Sequence, residues 1–269
     1  MDLHVKEFYR QFSDENPHGC FHKVIALHDA PDVDWKQISS WVPNINRGWF
    51  ELAHLPSQDR IDFIRDFWLS KLPYHPALDT FLERFFGSLD DIGIFLSQQC
   101  FDAPFEAHLV YSLKDNAGFF RGSPGASITE VEELSKKFPD SLLPSDYLAF
   151  LQIHNGFWKT TDITGLIPSN RLLEHYQHFQ TMLEQGPPVM TTKGIPIDPK
   201  SLIPFYESFG MPYFQCFWGE WYPEQEMGNI YFSSQTWTVS DVSQTEENSS
   251  NMSFPTFIDW LMFYLERVV

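Results

Sequence analysis

Two groups of residues in this 269-residue chain have the types and spacing that metal chemistry uses. His18-Gly-Cys20-Phe-His22 puts three soft or borderline ligands in one short stretch, and Glu174, His175 and His178 share a helical segment. A structural zinc site needs a second ligand pair at fixed spacing, and neither group has one; an HExxH pattern is absent too. These histidines read as surface or capping residues, and no metal is expected. Asp90-Asp91 could share a proton as catalytic carboxylates do, but its place beside Ser88 reads as helix capping. Cys20 has histidines near it only in sequence, which is thin ground for a nucleophile. No nucleophile elbow, phosphate-cradling loop or dinucleotide fingerprint occurs. No catalytic residue and no cofactor are therefore expected, and the chain reads as a non-enzyme.

A different chemistry stands out near the C-terminal end. From Ser201 to Glu266 there is no Lys or Arg, while nine acids and five Trp or Tyr from Trp218 to Trp237 fall in that span. Its densest part, WGEWYPEQE, holds Trp218, Glu220, Trp221, Tyr222, Glu224 and Glu226. Two readings stand for it. The rings are core and the acids merely solvated, or the rings anchor a partner whose basic surface is steered in by the acids. Sugar stacking on exposed rings is a third.

The whole chain fits an acidic protein. Its formal net charge of −18 excludes a nucleic-acid binder, which needs a basic surface, and an anionic membrane would repel it. A basic protein partner fits. Three widely spaced cysteines, Cys20, Cys100 and Cys216, form no disulfide or zinc pattern and suit a reducing compartment. MDLHVKEFYRQFSDEN has no apolar signal segment, and no stretch is long enough to span a bilayer, so a cytoplasmic protein is expected.

Elements that must carry these residues follow from periodicity. Val5, Phe8, Tyr9 and Phe12 predict an opening helix, Trp35, Ile38 and Trp41 a second, and Ile61, Ile64, Phe67 and Trp68 a third. Leu78 to Phe85 predicts a fourth, and Ser88 with Asp91 a capped fifth over Ile92, Ile94 and Phe95. FEAHLVYSL-DNAG-FFRG at 106–121 predicts a hairpin. Beyond it, helices are expected from Thr129 to Phe138, over LPSDYLAFL, from Leu172 to Met182 and at SFPTFIDWLMFYLERVV. Strands are expected at ITGLIP, SLIPFYESF, MPYFQCFWGEW and NIYFSSQTWTV. EQGPPVMTTKGIPIDPK reads as a loop, and SDVSQTEENSSNMS as a mobile polar insert. In LPSDYLAFLQIHNGF, Asn155-Gly156 is expected to supply left-handed residues that close the helix.

These pieces also carry a family resemblance. ITEVEEL at 128–134, LPSDYLAFLQIHNGF at 143–157, LIPFYESFG at 202–210, GNIYF at 228–232 and the closing FPTFIDWLMFYL resemble, in that order, the SUKH superfamily, whose best-known branch is the Smi/Knr cell-wall-assembly regulators. Leu143, Pro144, Asp146, Tyr147, Phe150, Leu151, Asn155 and Gly156 fill its second element position by position. The resemblance covers about residues 123–269. It implies an α+β fold with a largely antiparallel or mixed central sheet covered by helices, preceded here by a helical N-terminal extension at 1–122 that ends in the hairpin. It implies no catalytic residues, and it makes Pro144, Asp146, Tyr147, Asn155 and Gly156 determinants of shape. Functionally it implies a protein-binding module: an immunity protein that binds and occludes a polymorphic toxin, or, as in fungal relatives, a regulatory adaptor with no toxin partner. An enzyme on an unrecognised site is the remaining alternative.

Overall fold

The computed structural model describes residues 1–13, 17–139, 141–208, 213–223, 225–242 and 252–266. The chain forms two compact units, Met1–Gly125 together with Glu266, and Ala126–Leu265.

The first unit begins with helix α1 (Leu3–Phe8), capped by the Asp2 carboxylate, which accepts the His4 amide. The helix stops earlier than its apolar spacing predicts. Phe12 is left 56% exposed, because the chain turns and Gln11 pairs with Phe21. Strand β1 (Lys23–Ala26) follows, then α2 (Trp35–Trp41), capped by Asp34. Helix α3 (Arg47–Ala53) has no counterpart in the periodicity reading, although its Asn46 cap and buried Trp49, Leu52 and Ala53 are helical signals. Helix α4 (Ser57–Lys71) buries Ile61, Ile64 and Trp68 of its expected stripe and leaves Phe67 half-buried, and α5 (Leu78–Gly87) buries all of its own.

The segment after α5 corrects the expectation of a fifth helix. Residues Leu89–Gln98 form strand β2, buried on both faces, and Asp91 caps no helix. Its carboxylate instead accepts from the Ser57 hydroxyl and the Arg60 guanidinium. Ile92, Ile94 and Leu96 alternate into the interior, and Gly93 disfavours a helix. Strands β3 (Phe105–Leu113) and β4 (Phe119–Gly122) supply the predicted hairpin, and β1-β2-β3-β4 pair antiparallel in that order.

The second unit opens with α6 (Ile128–Lys137), started by a reciprocal capping box between Ser127 and Glu130. Then come α7 (Ser145–Leu151), β5 (Phe157–Lys159), β6 (Gly165–Leu166) and α8 (Leu172–Gln185). The stretch read as a loop contains a short strand, β7 (Met190–Thr191). Strands β8 (Leu202–Glu207), β9 (Tyr213–Trp218), β10 (Asn229–Ser233), β11 (Thr238–Val239) and β12 (Ser253–Phe254) precede α9 (Phe257–Glu266). Most of the polar insert expected to be mobile, residues 243–251, lies outside the described residues.

The sheet of this unit runs β5-β6-β8-β9-β10-β11-β7, with β12 on β10. Its pairs are antiparallel except β11 with β7, so the fold is α+β with a mostly antiparallel sheet. Strand alternation sends side chains to two faces. Phe214, Cys216, Ile230 and Phe232 meet Phe179 and Leu183 of α8. Phe205 and Phe217 meet Tyr147 of α7 with Phe257 of α9, and Phe205 also meets Trp260. Helices thus cover both faces, and one side of the 144–156 stretch lies in the core, with Tyr147, Phe150 and Leu151 fully buried.

Candidate functional site: the loop between β9 and β10

The acidic, aromatic stretch is the connection between β9 and β10. Its backbone is tied down at both ends. The Trp218 amide donates to the Gly228 carbonyl at 3.0 Å, the Gly228 amide to Trp221 at 2.9 Å, and the Gly219 amide to Ser201 at 2.7 Å. Gly228 is required by packing, since a Cβ there would lie 2.4 Å from the Trp221 ring. Gln225 takes a left-handed φ of 70°, which aims the chain back toward β10.

The side chains divide into two sets. Trp218 and Trp221 are half-buried and pack on the α8-side core, so the core reading describes much of their surface. The Trp218 indole N–H has no hydrogen-bond partner. Tyr222 is 47% exposed and Glu220 is exposed, so these two face outward. Glu224 lies outside the described residues. Glu226 is half-buried, and its carboxylate accepts the Ser145 amide at 3.0 Å, at the start of α7. This acid spends one oxygen on the fold.

That contact brings the loop onto the motif around Pro144, which the spacing of residues could not reveal. Pro144 sits at the N-cap of α7 with φ −57° and, lacking a side-chain acceptor, leaves the first-turn amides to others. Asp146 is 4% exposed. One of its oxygens accepts the Tyr147 amide at 2.8 Å and the other the Ile258 amide of α9 at 3.0 Å. Burial pushes its carboxyl up to about 6; amide hydrogen bonds oppose the rise and the nearby Glu226 charge adds to it.

The expected helix stop at Asn155-Gly156 is corrected. Helix α7 ends at Leu151, with Gln152 at the C-cap, and Asn155 keeps an ordinary φ. The pair instead shapes the entry to β5. The Asn155 side chain accepts the Ser169 amide at 2.7 Å. Gly156 takes φ 106°, where a Cβ would meet the Trp158 ring at 2.7 Å. The reason is geometric: amides of Ile153 and His154 both return to Phe150, which finishes the helix before the asparagine is reached.

A second cluster went unnoticed in the sequence. Asp162, on the turn after β5, accepts the Tyr206 hydroxyl at 2.9 Å and the Tyr264 hydroxyl. The Lys159 amide donates to the same carboxylate at 3.2 Å. Burial raises the Asp162 carboxyl and both phenols. Each carboxylate oxygen is occupied, so the cluster joins the β5–β6 turn to β8 and α9. Phenols 44 and 102 positions from the acid leave no local pattern to read.

The remaining sequence candidates stay apart. His175 approaches Glu207 at 4.0 Å, and burial lowers its pKa. Among the described residues, no three His, Cys, Asp or Glu side chains converge as metal ligands, and no helix is long and apolar enough to cross a membrane. A search among curated proteins finds no match. A family model described as the SMI1 / KNR4 family (SUKH-1) matches residues 125–262, slightly more than half of the chain. That span runs from the start of the second unit through most of α9, with the Asp146 clamp, the Asn155-Gly156 turn and the β9–β10 loop inside it, and the chain accordingly belongs to the SMI1/KNR4 (SUKH-1) family.

Proposed function

We propose that this protein is a non-enzymatic binding module of the cytoplasm, an immunity protein whose β9–β10 loop receives a basic toxin. The observation that carries the reading is the division of the loop. Trp218, Trp221 and Glu226 fix it to the fold, and Tyr222 and Glu220 are left facing solvent. An exposed tyrosine on a rigid base loses little side-chain entropy on binding. The acids around it lie in a span without Lys or Arg, within a chain of net charge −18, which favours fast encounter with a cationic surface. The SUKH-1 family, generally non-enzymatic, supports a binding role over a catalytic one.

Co-expression with a basic polymorphic toxin tests the proposal. The wild-type chain should restore growth. Glu220→Lys combined with Tyr222→Ser should abolish protection while the protein stays folded, because both positions are exposed. Protection undiminished by the double variant contradicts the loop's role.

A further inference from the structure

The first unit, outside the span matched by the family, contains an open cavity of about 490 Å³ between the segment after β1, the end of α3 and the start of α4. That is the size range of small-molecule sites. Leu27, Pro31, Ala53 and Pro56 give it carbon walls.

Its polar groups are fixed. Arg60, 8% exposed, donates to the Leu55 carbonyl at 2.7 Å and to the Asp91 carboxylate at 2.6 Å. Asp91 is held in turn by the Ser57 hydroxyl and the Ile92 amide. The guanidinium charge is thereby compensated, yet its Nε has no acceptor in the protein, a costly state for a buried donor. His28 supplies a donor. Its Nδ1 accepts the Ile94 amide at 3.3 Å, which places the proton on Nε2; burial favours the neutral ring, with the Asp29 charge opposing and the Arg60 charge adding to it. That Nε2 lies 3.8 Å from the Asp29 carboxylate, beyond hydrogen-bonding reach, and Asp29 is 81% exposed at the rim.

A donor and an acceptor at this separation are complementary to the edge of a single carboxamide. Its oxygen accepts from His28 on the side of Arg60, and its N–H donates to Asp29. A carboxylate ligand suits the cavity less, because Asp29, Asp91 and the overall charge repel it. An amine leaves the His28 donor without an acceptor.

We propose that this cavity binds a small neutral molecule with an apolar body and a carboxamide group, held between His28 and Asp29 beside Arg60. The site is independent of the β9–β10 loop. Titration of the full chain with benzamide, benzoate and benzylamine, read from the NMR signals of the histidine rings, tests it. Benzamide should shift His28 saturably, with the other two binding roughly tenfold more weakly or worse. Leu55→Trp, at a 37% exposed position on the wall, should remove binding by filling the space. Asp29→Asn, an exposed change that leaves the fold intact, should narrow the gap between benzamide and benzoate. A flat benzamide titration, equal or stronger binding of either charged probe, or shifts indifferent to both substitutions would each overturn the proposal.

Discussion

The Asp146 carboxylate accepts the Ile258 amide at 3.0 Å and so ties the first turn of α7 to the first turn of α9, 112 positions later in the chain. Both helices present amide donors and the positive end of their dipoles there, and one acid serves both. Behind this clamp Tyr147 and Phe257 meet at 5.3 Å between ring centroids. The same first turn of α7 receives Glu226 from the β9–β10 loop. A shape motif and a proposed binding loop therefore share one anchor.

The clamp has a pH signature. In the unfolded chain an aspartate titrates at about 3.9, whereas burial raises Asp146 to about 6 in the fold. The native state thus holds this proton more tightly. Its contribution to stability is complete below about pH 4 and is lost as pH rises through about 6. The shift corresponds to about 3 kcal/mol. Urea unfolding of wild type and Asp146→Asn between pH 4 and pH 7.5 should give a stability difference that changes by roughly that amount. A difference independent of pH would disagree.

Tyr147 separates packing from hydrogen bonding. Its ring is fully buried among Phe205, Phe217 and Phe257, yet its hydroxyl has no partner. Tyr147→Phe removes an unsatisfied group and should leave stability unchanged or slightly raised. Tyr147→Ala opens a large cavity and should cost about 3–5 kcal/mol, measured by denaturant unfolding.

The loop base rests on Gly228. A methyl group there would sit 2.4 Å from the Trp221 ring, so Gly228→Ala must displace the indole. A cost of about 1–3 kcal/mol is expected. Faster hydrogen exchange should appear at the Trp218 and Gly228 amides, which the turn now protects.

Thiol reactivity follows burial. Cys20 and Cys100 are exposed, whereas Cys216 is fully buried on β9 and burial raises its thiol well above the ordinary range. A thiol reagent should label two cysteines in the native protein and the third only on unfolding. Rapid native labelling of Cys216 would contradict the packing described.

Local signals carried much of this fold. The helix expected from Thr129 to Phe138 is α6, although its capping box at Ser127 and Glu130 went unread, and helical spacing of Tyr147, Phe150 and Leu151 announced the buried face of α7. Strand β2 escaped because Ser88 and Asp91 imitate a cap, and only the tertiary partners Ser57 and Arg60 give Asp91 its real role. The candidate loop was legible in composition but not in orientation. Nothing in WGEWYPEQE separates Trp218, set on the core, from Tyr222, turned to solvent, since that division depends on α8 beneath it. Glu226 reads as a solvated acid until α7 is placed beside it.

In the proposed function Tyr222 and Glu220 present a surface that grips a basic protein. Affinity for a purified basic toxin domain, measured calorimetrically for wild type and for Glu220→Lys with Tyr222→Ser at low and high salt, examines it most directly. Tight binding that weakens with salt and falls at least about a hundredfold in the double variant is the predicted result. Equal affinity of the two proteins for that toxin would contradict the account.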